Sequence, residues 1–226
     1  MRRGLAPFEV IAVLVAAALA PHLGDVPIVL PLLVVASAAR WAAGGSLLSP
    51  RAEPGDRMPR VAWYAGIAAL AGFAALGLAL VVGAPVAEGL TERAVVWTAF
   101  PVVRGNPGVL SGAAVIVAAT AIASELVLRG WIVERVLELG GPPLPAILVG
   151  AFAEALVAGG LAGSPAGGIG SGLGSGGLDA RLGAAIFGVG LGWMYVGAGR
   201  RAVVPACARL AFALGALALE AARLVG

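Results

Sequence analysis

The sequence predicts an all-α membrane protein, a polytopic transmembrane helical bundle with about seven spanning segments. Of the 226 residues, 60% are hydrophobic and only 12% are charged, and the mean hydropathy is +1.00. Soluble domains are about half apolar and a quarter charged, so this composition lies outside their usual range. The apolar residues also form runs close to the length of about 20 that a spanning helix needs. We therefore expect an integral protein of the inner (plasma) membrane.

Seven apolar runs are the candidate spanning helices. In chain order they are 7–23, 26–43, 61–84, 107–128, 143–159, 182–197 and 202–224. The second run is interrupted by Pro27 and Pro31, and the sixth is short. The first run follows two arginines as a signal peptide would, but it carries Glu9 and leads within a few residues into the second run. We therefore expect it to be retained as a helix.

The arginines predict the orientation of the bundle, since the chain has no lysine. With the N-terminus in the cytoplasm, ten arginines fall on the inner side and four on the outer side. Cytoplasmic loops usually carry such an excess of basic residues. The inner set is Arg2, Arg3, Arg40, Arg51, Arg57, Arg60, Arg129, Arg135, Arg200 and Arg201, and the outer set is Arg93, Arg104, Arg181 and Arg223. They form no basic stripe with interleaved aromatic residues, so we expect no nucleic-acid partner.

A segment rich in proline and glycine, residues 44–60, divides the chain and is predicted to be a cytoplasmic linker. It separates an N-terminal two-helix hairpin, 1–43, from a five-helix core, 61–226, and we expect the two parts to pack as one unit. Residues 85–106 are predicted to form an interfacial helix with aromatic residues at its edge. Residues 159–177 are predicted to be a flexible loop, because their G-x-G-x-x-G match lacks the preceding strand of a dinucleotide site.

Six ionisable residues fall within predicted helices, where an isolated charge is costly and needs a partner. They are Glu9, Glu125, Arg129, Glu154, Arg209 and Glu220. Glu125 and Arg129 stand four residues apart and are expected to pair, with Arg129 near the inner interface. Arg209 is expected to pair with Glu125 or Glu154, although anion binding and extension to the outer interface are alternatives.

Three short segments have the spacing of the motifs of one membrane-protein family. The first segment, Ser124-Glu125-Leu126-Val127-Leu128-Arg129-Gly130, aligns with the motif E-E-x-x-x-R-G, and the second, Phe152-Ala153-Glu154-Ala155-Leu156, aligns with F-x-x-x-H. The third runs from Pro205 through Arg209 to Ala213 and aligns with a proline followed by H-x-x-x-N. In these segments the chain resembles the CPBP family, the CAAX proteases and bacteriocin-processing (Abi) enzymes. The resemblance covers roughly residues 112–218 and implies the helical fold of an intramembrane endopeptidase.

The resemblance also implies that residues of the family's hydrolytic site are replaced in this chain. In the family, the first glutamate, the two histidines and the asparagine are implied to bind or activate the hydrolytic water, with a divalent metal in some proposals. The corresponding residues here are Ser124, Leu156, Arg209 and Ala213. Glu125 and Arg129 are the surviving motif residues, so we expect a degenerate member, a pseudoenzyme that binds a partner or acts as a scaffold. Glu154 is a candidate substitute, but it lies about 200° around the helix from position 156.

We expect no cofactor in this chain. The chain has one histidine, His22, and one cysteine, Cys207, which are too few nitrogen and sulfur ligands for a transition metal. Glu125 and Glu154 are likewise few ligands for magnesium or calcium.

The expected partners are the lipid bilayer and a membrane protein or lipidated peptide. Two alternatives stay open: an active intramembrane protease with a rearranged site based on glutamate, and an unrelated transporter or permease component, which would favour inverted repeats.

Overall fold

The computed structural model describes residues 6–19, 33–38, 58–82, 107–159 and 178–223. Within these ranges the chain is helical apart from two short turns, and no strand occurs there. The predicted all-α fold is therefore confirmed. The predicted interfacial helix and glycine-rich loop lie outside the described residues, as do most of the linker and most of the second apolar run.

The described helices follow the apolar runs in chain order, and a π-helical segment separates two of them. They are α1 (Ala6–Leu19), α2 (Met58–Val82), α3 (Pro107–Val127), the π segment (Leu128–Val133), α4 (Glu134–Glu138), α5 (Pro143–Gly159), α6 (Leu178–Gly197) and α7 (Val203–Arg223). Residues 33–38 form a further short helical stretch.

Two helices extend beyond the approximate limits predicted for them. The linker was expected to extend to residue 60, but α2 already begins at Met58. The fourth helix was expected to end at Leu128, yet the helical backbone continues through the π segment and α4 to Glu138. The structure buries Arg129, Glu134 and Arg135 of this continuation inside the protein.

Glycine and proline set the ends of these elements. Gly140, with φ of 86°, lies just beyond α4 in the left-handed region that ends many helices. Pro143 then starts α5, a position where the missing N–H costs no helical hydrogen bond. The turn after α6 contains Gly199 and Arg200, with φ of 70° and 65°.

Close helix contacts depend on glycines that face a neighbour. Helix α7 packs against α2 and α3, and α5 packs against α6. A Cβ added at Gly72 would lie 2.1 Å from the carbonyl oxygen of Ala208, and one at Gly192 would lie 2.8 Å from the Ile147 side chain. Gly188, four residues before Gly192, also faces α5. Gly188 and Gly192 form a G-x-x-x-G pair, a pattern that allows close approach of helices.

The outer surface is strongly apolar. Large hydrophobic side chains such as Phe8, Trp63, Leu70 and Ile186 are between 69% and 73% exposed. Soluble monomers rarely expose so much apolar surface. Two helical stretches, Arg60–Leu78 and Ser111–Glu138, are long and apolar enough to cross a membrane, while three further apolar helices are shorter. These features are consistent with a membrane protein but do not confirm seven spanning segments.

Candidate functional site

Four charged side chains from separate parts of the fold meet inside the bundle. Glu125 lies on α3, Arg129 on the π segment, Glu154 on α5 and Arg209 on α7. Arg129 Nη1 donates to Glu125 Oε1 at 3.2 Å, and Arg129 Nη2 donates to Glu154 Oε2 at 2.5 Å. Arg129 Nη2 also donates to the carbonyl oxygen of Gly188, at 2.9 Å. We call these four side chains the ion network.

Arg209 bridges the two carboxylates of the ion network. Its Nε donates to Glu125 Oε1, and its Nη2 donates to Glu154 Oε1. The guanidinium carbon also lies 5.6 Å from the centre of the Phe187 ring, within the range of a cation–π contact. The predicted pairing of Arg209 with Glu125 or Glu154 is therefore confirmed, and it involves both.

The ion network is almost sealed from the outside. The side chains of Glu125 and Arg129 are fully buried, that of Glu154 is 5% exposed, and that of Arg209 is 19% exposed. Buried charges are tolerated when their partners are close and well placed, and here two guanidinium groups balance two carboxylates. Both carboxylates and the Gly188 carbonyl hold the Arg129 guanidinium inside the protein, and its predicted location near the inner interface stays a prediction.

The neighbouring helix makes room for the network through Gly188. A Cβ at this position would lie 2.8 Å from Glu154 Oε2 and 3.0 Å from the Cα of Ala151. Its carbonyl also accepts one of the hydrogen bonds of Arg129. Sequence reasoning missed this role of Gly188.

The structure assigns different surroundings to the other motif positions. The Ser124 hydroxyl donates to the Thr120 carbonyl of its own helix at 2.8 Å. On α5, Phe152 is 57% exposed and Leu156, one turn later, is half-buried. Glu154 lies on the opposite face, as its offset of two residues predicts. It is Glu154, and not Leu156, that joins the ion network, and Ala213 of α7 is half-buried outside it.

Comparison with known proteins bears directly on this region. Residues 106–214 match the family model described as Type II CAAX prenyl endopeptidase Rce1-like. These residues are therefore similar to the CPBP family, and we call them the CPBP domain. The CPBP domain contains the whole ion network, and its limits agree with the resemblance found from the motifs. The search of curated proteins and the search of solved structures each gave no significant match.

A third buried carboxylate lies elsewhere in the CPBP domain and was missed by sequence reasoning. Glu134 is fully buried, and its Oε2 accepts a hydrogen bond from the Tyr195 hydroxyl at 3.1 Å. The Arg200 Nε lies 3.3 Å from the same oxygen. Glu134 follows the predicted end of a helix, so nothing in the sequence pattern marked it as buried.

The residues of the ion network do not fit a divalent metal. Metal-binding carboxylates need free oxygens, yet Glu125 Oε1 and both oxygens of Glu154 accept hydrogen bonds from guanidinium groups. Two positive side chains at the same point would also repel a cation. Over the described ranges, no group of three or more His, Cys, Asp or Glu side chains is placed to hold a metal ion. We therefore assign no step to a metal.

Proposed function

We propose that this CPBP domain is a non-catalytic binding protein of the membrane, a pseudoenzyme that holds a lipidated peptide without cleaving it. The observation that carries the proposal is the contact of Arg209 with both Glu125 and Glu154. Arg209 stands where the family motif has its second histidine. A side chain that would help to activate water is thus replaced by one that neutralises two carboxylates.

The hydrogen bonds of the ion network argue against hydrolysis. A general base needs an acceptor atom that can reach the proton of a water molecule. Both oxygens of Glu154 already accept guanidinium N–H groups, and Glu125 Oε1 accepts from two arginines. The Ser124 hydroxyl is directed at its own helix backbone. These groups are arranged to stabilise one another.

The apolar surroundings of Arg209 support the choice of partner. Phe187 lies beside its guanidinium, and the rings of Phe187 and Phe212 are 5.1 Å apart. Arg209 is also the most exposed side chain of the ion network, so this aromatic pair lies at its more accessible edge. A pair of phenyl rings suits an isoprenoid or acyl chain, since both surfaces are apolar.

We further propose a bundle of about seven spanning segments in the plasma membrane, with the N-terminus in the cytoplasm. The support is the apolar outer surface together with the two long and three shorter apolar helices. The distribution of the arginines supports the orientation. No cofactor is needed for the proposed binding.

Photo-crosslinking tests the binding proposal. A CAAX peptide whose prenyl group carries a diazirine is irradiated with the purified protein in liposomes, and the same peptide without the prenyl group is the control. We expect crosslinks within α6 and α7 that contain the uncleaved peptide and that decrease in Phe187→Ala. Phe8→Ala, on an exposed site of α1, serves as the matched control variant. Equal labelling by the peptide without a prenyl group would contradict the proposal.

One observation favours an active protease as the second candidate. Glu125 Oε2 is buried and accepts no hydrogen bond from any described residue, so one acceptor atom of the ion network remains open. A water molecule bound there could be activated by Glu125. This candidate predicts peptide cleavage that is lost in Glu125→Gln. The family match leaves an unrelated transporter without support.

A further inference from the structure

The position of the Arg209 guanidinium has the features of a cation-binding site. Two carboxylates, from helices α3 and α5, each direct an oxygen at the same group. The face of the Phe187 ring lies on a further side, 5.6 Å from the guanidinium carbon. Carboxylate oxygens and an aromatic face are both groups that recognise cations.

Charge balance requires a cation at this position. Glu125 and Glu154 carry two negative charges, and Arg129 supplies one positive charge, so without Arg209 the buried group would keep a net charge of minus one. An uncompensated buried charge is strongly destabilising. The second cation comes from α7, which packs against α3, and so the chain itself provides it.

Access to this position is from the side of Arg209. Its side chain is 19% exposed, whereas those of Glu125 and Arg129 are fully buried and that of Glu154 is 5% exposed. Truncating Arg209 would therefore open a space that leads from the outside to two carboxylates. Truncating Arg129 would leave a space without such access.

We propose that Glu125, Glu154 and Phe187 form a cation-binding site that the protein fills with its own Arg209 as a tethered guanidinium. The inference rests on the proposed function, in which Arg209 replaces a catalytic group. It adds that the site keeps an affinity for free guanidinium-type cations, which becomes measurable once Arg209 is shortened.

Chemical rescue of thermal stability tests this inference. We expect Arg209→Ala to lower the Tm of the purified protein by on the order of 10 °C, whereas Arg60→Ala, at an exposed site of α2, leaves it unchanged. Guanidinium chloride at low millimolar concentration, far below denaturing levels, should restore about half of the Tm lost in Arg209→Ala. Tetramethylammonium chloride, a cation without N–H donors, should restore none, and the wild-type Tm should respond to neither salt.

A double variant shows whether the pair of carboxylates is responsible for the rescue by guanidinium. Arg209→Ala combined with Glu125→Gln restores neutrality and removes one of the two carboxylates, so we expect a higher Tm than in Arg209→Ala alone and no effect of guanidinium. Absence of rescue in Arg209→Ala, or equal rescue in the double variant, would overturn the inference.

If Arg209→Ala does not fold, two variants with side chains of similar length test whether the site needs a cation. Arg209→Lys keeps the cation and Arg209→Met removes it, so the lysine variant should have the higher Tm, and equal Tm values would overturn the inference. Failure of the proposed function would be distinguished from failure of this inference. In that case the wild-type protein would cleave a peptide, while the Tm values of the variants would stay as expected here.

Discussion

Arg129 is the residue at which three helices are joined. Its guanidinium donates to Glu125 of α3, to Glu154 of α5 and to the backbone of Gly188 in α6. A planar group with five N–H donors in a fixed arrangement can serve several acceptors at once, which a lysine cannot do as well. Glu125 and Arg129, which have the spacing of the first motif, thus take part in the packing of three helices.

Replacing Arg129 with methionine should strongly destabilise the fold. The side chain keeps its approximate length, but Glu125 and Glu154 lose a buried partner, which we expect to lower the free energy of unfolding by about 3–5 kcal/mol. Unfolding in detergent, followed by helical circular dichroism, measures the change. Arg60→Met, at an exposed position, is the control and should have no effect. A loss in Arg129→Met no larger than in the control would contradict the structural role of the ion network.

Among the elements, the π segment lets one continuous helix carry two buried ionic groups. One is Arg129 of the ion network, and the other is Glu134 with its partners. Arg129 and Glu134 are five residues apart, which in an α-helix would place them about 140° apart around the axis. Hydrogen bonding from i to i+5 brings such residues close to one face. Both then contact α6, Arg129 at Gly188 and Glu134 at Tyr195, and these two positions are about two α-helical turns apart.

The contact of α2 with α7 depends on Gly72. A Cβ there would meet the carbonyl oxygen of Ala208, a backbone atom that cannot move aside as a side chain can. We expect Gly72→Ala to separate the helices, lower the Tm and disturb the adjacent Arg209. Gly66→Ala is a matched control on the same helix, because nothing lies within 4 Å of its added Cβ, and it should be neutral or stabilising by up to about 1 kcal/mol. Equal Tm values for the two variants would refute this account of the interface.

For the whole molecule, much of the helical fold could be predicted because apolar runs and their breaks are local properties. The pairing of Arg209 could also be predicted, since a guanidinium within an apolar helix needs a carboxylate. Burial of Glu134 could not, because its partners Tyr195 and Arg200 are distant in sequence. Nor could the contact of Arg129 with Glu154, because motif spacing alone does not show that this face of α5 points toward the π segment.

The orientation in the membrane is a further prediction for the whole molecule. With seven spanning segments and a cytoplasmic N-terminus, residue 142 should lie on the inner side and residue 177 on the outer side. A fluorescent protein that folds in the cytoplasm should therefore be active when fused after 142, and a phosphatase that requires export should be active when fused after 177. The reverse pattern would show that the distribution of arginines does not set the orientation.

We propose that the ion network has replaced the hydrolytic chemistry of the CPBP domain. The most direct test of this proposal is a single-turnover assay in liposomes, with the protein in large excess over a prenylated CAAX peptide and mass spectrometry to detect the products. Glu125→Gln is the control, because it keeps the shape of the side chain but removes the carboxylate of the ion network whose second oxygen accepts no hydrogen bond from the described residues. We predict no cleavage by the wild-type protein beyond that seen with Glu125→Gln. Cleavage by the wild-type protein that disappears in Glu125→Gln would contradict the claim and establish an active protease.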